Sequence, residues 1–427
     1  MDQYNGGGAG TAGWDAINAA LRPVYAGQEP RHFGTAASYT LGGDDPLDGI
    51  SVYWSPLPRP HWHYVTYGFS ELYDKHSDDP EASGFGFELT FRLAAEAGED
   101  GSGAPPTWPL NLLQNVARYV FGSGNVFEAG HHLDANGPIA LDSGTRLRHL
   151  AFVADPQLPA IDTPNGRLDF LQMVGLTDDE MAAVRRWSTS GVLEALAPAM
   201  PSWITVLARD SLLADAALAE RVEAGSRREG SSTGMLFVET LDWSDEDIGT
   251  TLVLGAGQVE SVLELLPLRL HHDRPLVVLG RERQWRFEPG VADDLQLDED
   301  SARCVLCDAS IAAMLAGIRA ERGVYRLPGG KLQVEVVPTQ LRDGRGNVIG
   351  EIGIQPPSWR GGGRRPAAAS ENTNTAPDAL SASSIRRWCS CRMRCTINSP
   401  SPPLSGRRLA SADGALNRCA RCSGAMP

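Results

Sequence analysis

The chain has 427 residues, 42% of them hydrophobic, and a formal net charge of −15. No run approaches the roughly 18 apolar residues that a membrane-spanning helix needs, and residues 1–13 lack the basic and apolar regions of a secretory signal. All seven cysteines lie at or after Cys304, which excludes a disulfide framework for residues 1–303 and favours a cytoplasmic protein.

Charge is distributed unevenly along the chain. Residues 357–427 contain eleven Arg and three acidic residues and carry +8, so residues 1–356 carry −23. An acidic body repels nucleic acid and attracts basic partners, mainly by raising the rate of association. The alternative explanation is that the acidic residues face solvent and only keep the protein soluble. We expect no nucleic-acid partner.

The first part of the chain predicts a helix followed by an antiparallel meander. The Gly-rich residues 1–13 predict a disordered leader, and Trp14–Tyr25 has the spacing of an amphipathic helix. Alternating segments separated by Gly, Asp and Pro clusters then predict four strands: Thr35–Leu41, Ile50–Trp54, His63–Tyr67 and Phe85–Leu93. In the last segment Phe85, Phe87, Leu89 and Phe91 alternate with small or polar residues, which is typical of a half-buried strand.

Helices and strands are mixed in the next part. Pro109 is suited to the start of a helix over Leu110–Phe121, where apolar residues recur on one face. Strands are predicted near Leu147–Val153 and Leu168–Val174. A capping box of Thr177 and Glu180 predicts one helix from Thr177 to Leu196.

The polar stretch Gly225–Gly234 is the predicted domain boundary. Beyond it we expect a smaller domain with one helix, Ser310–Arg322, and a hairpin turn at Arg342–Asn347. Its predicted strands are Met235–Leu241, Val253–Leu254, Leu276–Leu279, Gln284–Phe287, Val324–Leu327 and Leu332–Val337. From about Pro357 the chain is rich in Pro, Ala, Ser and Arg without periodicity, which predicts a disordered tail.

Several segments occur in an order and spacing that resemble a known family. They are LGGDDPLDGISVY (41–53), HWHYVTYGFSELY (61–73), SGFGFELTF (83–91), PPTWP (105–109), ARYVF (117–121) and DPQLPAIDTPNGRLDFLQMVG (155–175). A weaker similarity continues through residues 266–287 and 331–338. Together they resemble the Suppressor of fused family over roughly residues 14–338.

The resemblance implies an α+β fold of two domains, each a mostly antiparallel sheet packed with helices, which form a clamp. The domains are then 14–228 and 233–356, with a disordered leader at 1–13 and a disordered Arg/Pro/Ser/Ala-rich tail at 357–427. Larger members carry a disordered insertion in the second domain, and a short linker around Asp242–Gln258 is expected in its place here. The resemblance also implies a binding protein with no catalytic activity and no cofactor.

A binding site follows from the same resemblance. In eukaryotic relatives the clamp holds an extended peptide, which adds a strand between the two sheets by β-augmentation. The family's tyrosine in ARYVF is Tyr119 here, and His131 stands at the position of its aspartate. We expect Tyr119, Phe121 and His131 to bind the partner, with the Tyr119 hydroxyl and His131 projecting into a groove between the domains. The alternative is that Tyr119 and Phe121 are core aromatics of their helix.

His61 and His63 suggest a different function. An H-x-H pair on a strand points to one face, as in strand-based metal sites, and His131 or His132 would supply a further ligand. This spacing predicts a metal-dependent enzyme as the alternative function, whereas the other interpretation is structural, partly buried histidines. Cys304 and Cys307 suggest a zinc or redox site in the same way. The other interpretation is that they are incidental thiols.

The preferred function is a non-catalytic protein that clamps an extended segment of a protein partner. Bacterial members of the family look like immunity proteins of polymorphic toxin systems, or regulators that use the same clamp. The acidic body suits a basic toxin domain as the partner. We therefore expect a cytoplasmic, bacterial immunity protein (an antitoxin) or regulatory inhibitor, with no nucleic-acid, membrane or metal partner and with the oligomeric state left open.

Truncation after Ile354 tests the prediction for the tail. Residues 357–427 lack the apolar periodicity that would bury surface against the body, so the shortened chain should fold and bind as the full chain does. Thermal unfolding of both chains measures this. A melting temperature lower by several degrees would show that the tail packs on the body.

Overall fold

Two units make up the chain, and both combine helices with sheets. The computed structural model describes residues 10–35, 42–246, 249–328, 332–342, 348–353 and 395–396. Contacts between residues divide the chain into Met1–Ala224 with Ile397–Pro427, and Gly225–Thr396. No helix in these described stretches has the length and apolar character needed to cross a membrane.

A sheet of eight strands between residues 31 and 176 is the framework of the first unit. They are β1 (Arg31–Gly34), β2 (Gly49–Ser55), β3 (His61–Tyr67), β4 (Ala82–Ala94), β5 (His132–Asp134), β6 (His149–Ala154), β7 (Ile161–Thr163) and β8 (Gly166–Leu176). The order of these strands is β1-β2-β3-β4-β8-β6-β5, with β7 beside β8. β4 and β8 run parallel, and the other pairs from β1 to β8 are antiparallel.

Helices cover both faces of this sheet. They are α1 (Ala12–Leu21), α2 (Trp108–Ser123), α3 (Asp178–Arg186), α4 (Thr189–Leu196) and α5 (Ala216–Glu229), with 3₁₀ turns at Ala197–Ala199, Pro201–Trp203 and Leu212–Ala214. On one face α1 packs against Tyr67 and Phe170, and α3 and α4 pack against Val174. On the other face Trp108 of α2 meets Phe91 edge-on, with the ring centroids 5.7 Å apart. The central strands are therefore buried on both sides.

Strand β4 shows the consequence of this double cover. Phe87, Leu89 and Phe91 are buried as predicted, but Glu88 and Arg92, which alternate with them, are also 0% exposed. The prediction of a half-buried strand is therefore wrong for β4. Its second face is a buried polar layer, because α1 and the segment after it cover that side of the sheet.

An ion pair between Arg92 and Asp155 is the centre of that polar layer. Arg92 Nη1 lies 2.6 Å from Asp155 Oδ2, and both side chains are fully buried. Arg92 also donates to Gln172 of β8, and His63 Nδ1 lies 2.6 Å from the Tyr25 hydroxyl. Burial alone would raise the pKa of Asp155, but His63 and Arg92 outweigh it and hold that pKa far below its usual range.

Glu88 forms a second buried polar centre on β4. Its Oε1 accepts from the amides of Gly68 and Ser70 at 3.0 and 2.9 Å and from the Ser70 hydroxyl at 2.6 Å. Its Oε2 accepts from Thr66 Oγ1 at 2.6 Å. Burial raises the pKa of Glu88 to about 7, although these hydrogen bonds act in the opposite direction.

The second unit contains three smaller sheets. Its strands are β9 (Met235–Phe237), β10 (Leu241–Glu246), β11 (Gly249–Gly255), β12 (Leu276–Leu279), β13 (Gln284–Pro289), β14 (Asp294–Leu297), β15 (Ser301–Leu306), β16 (Gly323–Arg326), β17 (Leu332–Val337), β18 (Thr339–Arg342) and β19 (Val348–Ile352). The sheet orders are β10-β11-β17-β16, β14-β15-β13-β12-β9 and β18-β19. The helices are α6 (Ala256–Leu270) and α7 (Asp308–Gly317). Leu266 of α6 and Trp285 of β13 lie in one buried core.

Several sequence predictions differ from this structure. The single helix Thr177–Leu196 is two helices, because Ser188 has extended backbone and its Oγ accepts from the Gly191 amide as the cap of α4. The linker expected at Asp242–Gln258 is instead the hairpin β10–β11 and the start of α6. The unit boundary falls at Ala224/Gly225 inside α5, so the first five residues of the predicted linker are helical.

Other predictions fall on residues outside the described part of the chain. Residues 36–41 of the strand predicted at Thr35–Leu41 are among them, and the observed strand is the preceding segment β1. Residues 1–9 of the leader, 343–347 of the predicted turn and the tail apart from Cys395–Thr396 also lie outside it. Disorder of the leader and tail therefore stays a prediction.

Phe87→Ala should destabilise the first unit strongly. The Phe87 side chain is 2% exposed, and its ring stacks on Phe69 with a centroid distance of 4.8 Å. Truncation leaves a cavity in the sheet, with an expected loss of about 3–5 kcal/mol in the free energy of unfolding. Urea denaturation measures it, with Leu141→Ala as a control because Leu141 is 57% exposed. A midpoint near that of the wild type would show that the cavity is not formed.

Glu88→Gln should remove a pH dependence of stability. Folding raises the pKa of Glu88 from 4.5 to about 7, so the native state binds this proton more tightly. Its stabilising effect is complete below pH 4.5 and is lost as the pH rises through 7. The free energy of unfolding of the wild type, relative to Glu88→Gln, should therefore fall between these two pH values. A constant difference across this range would contradict the assignment.

Candidate partner-binding site

Tyr119 lies in the last turns of α2, and local interactions set its position. Pro109 stands in the first turn of the helix, and Gly124 ends it with a φ of 73°, a conformation that favours glycine. Tyr119 is half-buried. Its hydroxyl accepts a hydrogen bond from Asn125 Nδ2 at 2.8 Å. The residues that follow the helix therefore hold the tip of the Tyr119 side chain.

Phe127 joins this region to the sheet. Its ring is 5.9 Å from that of Tyr119 and stacks on Phe152 of β6 at 4.0 Å. Phe127 is 3% exposed. The ring of Tyr119 thus rests on a rigid apolar support, which limits the conformational freedom that a bound partner would have to remove.

Phe121 faces a separate group of aromatic residues. Its ring meets Phe85 edge-on at 4.9 Å and lies 6.1 Å from Phe69. Phe121 and Phe85 are both half-buried. Tyr119 and Phe121 are therefore neither fully exposed nor fully buried, so both the binding interpretation and the structural interpretation keep physical support.

His131 is largely buried, and its predicted place in a groove between the domains stays a prediction. It is 7% exposed, and its Nδ1 accepts from the Glu128 amide at 3.1 Å. Its carbonyl accepts from the Phe152 amide at 2.9 Å. His131 thus closes a turn that leads into β5, and the structure places it near the Phe127 support without presenting its ring to solvent.

His61, His63 and His132 each use Nδ1 for a hydrogen bond within the fold, whereas their buried Nε2 atoms have no hydrogen-bond partner among the described residues. His61 Nδ1 is 2.8 Å from the Arg59 carbonyl, and His132 Nδ1 is 3.2 Å from Thr189 Oγ1. Burial lowers the pKa of His61 and His63 to about 4 and that of His132 to about 3. Among the residues that the structure describes, no three or more His, Cys, Asp or Glu side chains group in a way that would hold a metal ion. The predicted set of His61 and His63 with His131 or His132 is therefore not assembled.

The cysteine pair is also not arranged for redox chemistry. Cys304 lies within β15, and Cys307 caps α7 immediately after that strand. Three residues of extended strand span about 10 Å, whereas a disulfide needs Cα atoms within about 7 Å. Burial raises the pKa of the Cys304 thiol to about 12. Incidental thiols are the interpretation that the structure supports.

The sequence did not single out the polar groups beneath α1. Arg92 and Asp155 are the most deeply buried charged pair in the described residues, yet alternation along β4 made Arg92 look exposed. The segment DPQLP offered a signal, because Asp155 Oδ1 accepts from the amides of Gln157 and Leu158 and so caps its own turn. Their role is to hold the sheet on which α2 rests.

Comparisons with known proteins agree with this fold. Residues 43–210 match the family model described as Suppressor of fused protein (SUFU). The human and the mouse Suppressor of fused homologs are each 40% identical over 240 residues, which is 52% of this chain and 48% of each relative. The chain thus spans about half the length of the curated relatives it matches.

A solved structure extends the similarity to the fold. The crystal structure of Drosophila Suppressor of Fused aligns with a TM-score of 0.67 and 24% identity, over 77% of this chain and 97% of that chain. This likeness confirms the predicted α+β fold with mostly antiparallel sheets. Residues 43–210 of this chain thus resemble the Suppressor of fused family.

Proposed function

We propose that this protein is a non-catalytic binding protein that holds an extended segment of a protein partner. The observation that carries the proposal is the position of Tyr119, half-buried on the rigid Phe127 support in a chain that resembles this family. A tyrosine suits such a site, because its ring packs on apolar groups while its hydroxyl bonds to a peptide.

The strand that the partner would add to a sheet, and the gripping role of the second domain, stay predictions.

We propose further that the partner is basic and that binding neutralises or regulates it in the cytoplasm, as an immunity protein neutralises a toxin. The support is the net charge of −23 on residues 1–356. Complementary charge raises the rate of association and makes it sensitive to salt.

An affinity capture with two baits tests the function. The wild type and Tyr119→Phe are incubated with lysate of the native host at low and at high salt, and retained proteins are identified by mass spectrometry. We expect a specific basic protein on the wild-type bait, weakened by salt and by the substitution. A wild-type bait that retains no specific protein at either salt would overturn the proposal.

Tyr119→Phe should weaken binding of that partner while folding is preserved. The substitution keeps the ring on Phe127 and removes the hydroxyl that Asn125 contacts. Loss of one such hydrogen bond is expected to reduce affinity by about 1–2 kcal/mol, roughly five- to thirtyfold. Titration calorimetry measures it.

Tyr73→Phe is the matched control for this substitution. Tyr73 is 41% exposed, and its hydroxyl donates to Asp48 at 3.4 Å, away from α2 in the chain. Its affinity should equal that of the wild type. If Tyr119→Phe and Phe121→Ala both fold and bind as the wild type does, the partner docks on another surface.

A further inference from the structure

Two arginines at the end of α6 lie together without an acidic partner. Arg269 is 9% exposed, and its Nη1 and Nε donate to the carbonyls of Ser231 and Pro275 at 2.7 and 3.0 Å. Arg274 Nη1 donates to the same Ser231 carbonyl at 3.3 Å. No carboxylate in the described part of the chain forms an ion pair with Arg269 or Arg274.

The electrostatic state of Arg269 reflects this imbalance. Burial, with a smaller contribution from the nearby charge of Arg274, lowers its pKa to about 10. A buried cation is normally paired, since an uncompensated one is costly. The carbonyl dipoles at the C-terminus of α6 provide partial negative charge, but they do not provide a counter-ion.

Orphaned hydroxyls lie in the segment that Arg269 contacts. Thr233 is 0% exposed, and Thr233 Oγ1 and Ser232 Oγ are buried without a hydrogen-bond partner among the described residues. The Thr233 amide donates to Ser231 Oγ at 3.0 Å, which fixes the turn. Two hydroxyl donors that lack acceptors thus lie in the short loop Ser231–Gly234, which Arg269 and Arg274 contact.

One donor of the Arg269 guanidinium has no acceptor in the described chain. Nε and Nη1 donate to backbone carbonyls, whereas Nη2 makes no hydrogen bond there. Nη2 lies against Gly234, where an added Cβ would stand 3.2 Å from it, closer than an ordinary van der Waals contact. The absence of a side chain at Gly234 therefore leaves Nη2 uncovered on that side.

We propose that the loop Ser231–Gly234, with Arg269 and Arg274, is a binding site for a phosphate group. A phosphate presents several strong acceptor oxygens and negative charge, which match a guanidinium donor and hydroxyl donors. The site lies wholly in the second unit. It is outside the segment that matches the family model, and it is independent of the partner-binding proposal.

Calorimetric titration of the full chain with inorganic phosphate, at constant ionic strength with chloride, tests this site. We expect saturable binding with one phosphate per chain. Thr233→Val removes a hydroxyl without disturbing the carbonyl contacts of Arg269, and Arg274→Gln removes one charge. Each should weaken phosphate binding about tenfold or more, as expected for a lost bond to a charged ligand.

Arg283→Gln is the control, because it also removes one positive charge from the second unit but at a side chain paired with Asp242. It should bind phosphate as the wild type does. Thermal unfolding of all variants confirms that they are folded. No saturable binding, or an equal response in every variant, would overturn the site, since phosphate stabilises proteins generally by exclusion from their surface.

Two further ligands identify the source of the phosphate group. O-phosphoserine that binds at least as tightly as inorganic phosphate would indicate a phosphorylated side chain, and binding of inorganic phosphate alone would indicate the free ion. Acetate tests the chemistry itself. Equal affinity for acetate would overturn the assignment to phosphate, because it would show a site for any small anion.

Discussion

The ion pair of Arg92 and Asp155 is the constraint on which the first unit depends. Both side chains are fully buried, and the pair joins β4 to the turn after β6, while Arg92 also donates to Gln172 of β8. Removing either partner would leave an unpaired charge in the interior, typically at a cost of about 3–5 kcal/mol. Such a pair adds little net stability over apolar residues, but it admits few alternative registers for these strands. The order of the central strands is thereby specified from within the sheet.

This polar layer determines what the other face of the sheet can do. With the α1 side fixed by hydrogen bonds, Phe87, Leu89 and Phe91 form an apolar surface on which α2 packs. Phe127 rests on the same surface through Phe152 and Phe87. The ring of Tyr119 is therefore positioned by a chain of rigid contacts that leads back to the sheet. A side chain held in this way loses little entropy on binding, which is the physical basis for assigning it to recognition.

Sequence patterns located the elements whose signals are local. Segments in which apolar and polar residues alternate correctly predicted β2, β3 and β4, and Pro109 correctly predicted the start of α2. What they missed depends on distant residues. The buried state of Arg92 requires Asp155, 63 residues away. The break between α3 and α4 is an exception, because its signal is local: Ser188 caps α4. His131 was identified by analogy with the family's aspartate, and the sequence gives no signal that its Nδ1 accepts from the Glu128 amide. The cationic loop likewise joins residues 38 positions apart, Arg269 and Ser231.

The proposed phosphate site is physically reasonable in an acidic chain, because net charge and direct hydrogen bonds act at different distances. The net charge of −23 on residues 1–356 acts over roughly a Debye length of 8 Å at physiological salt and so governs encounter with large partners. The proposed site at Arg269 acts by direct hydrogen bonds from a largely buried side chain, and salt screens such contacts much less. The acidic surroundings repel anions in general. Only an anion that accepts hydrogen bonds from several donors at once overcomes this repulsion. The acidic surface weakens the binding of every anion, and the buried guanidinium favours an anion with several acceptor oxygens. Together they favour a phosphate group over a simple monovalent anion.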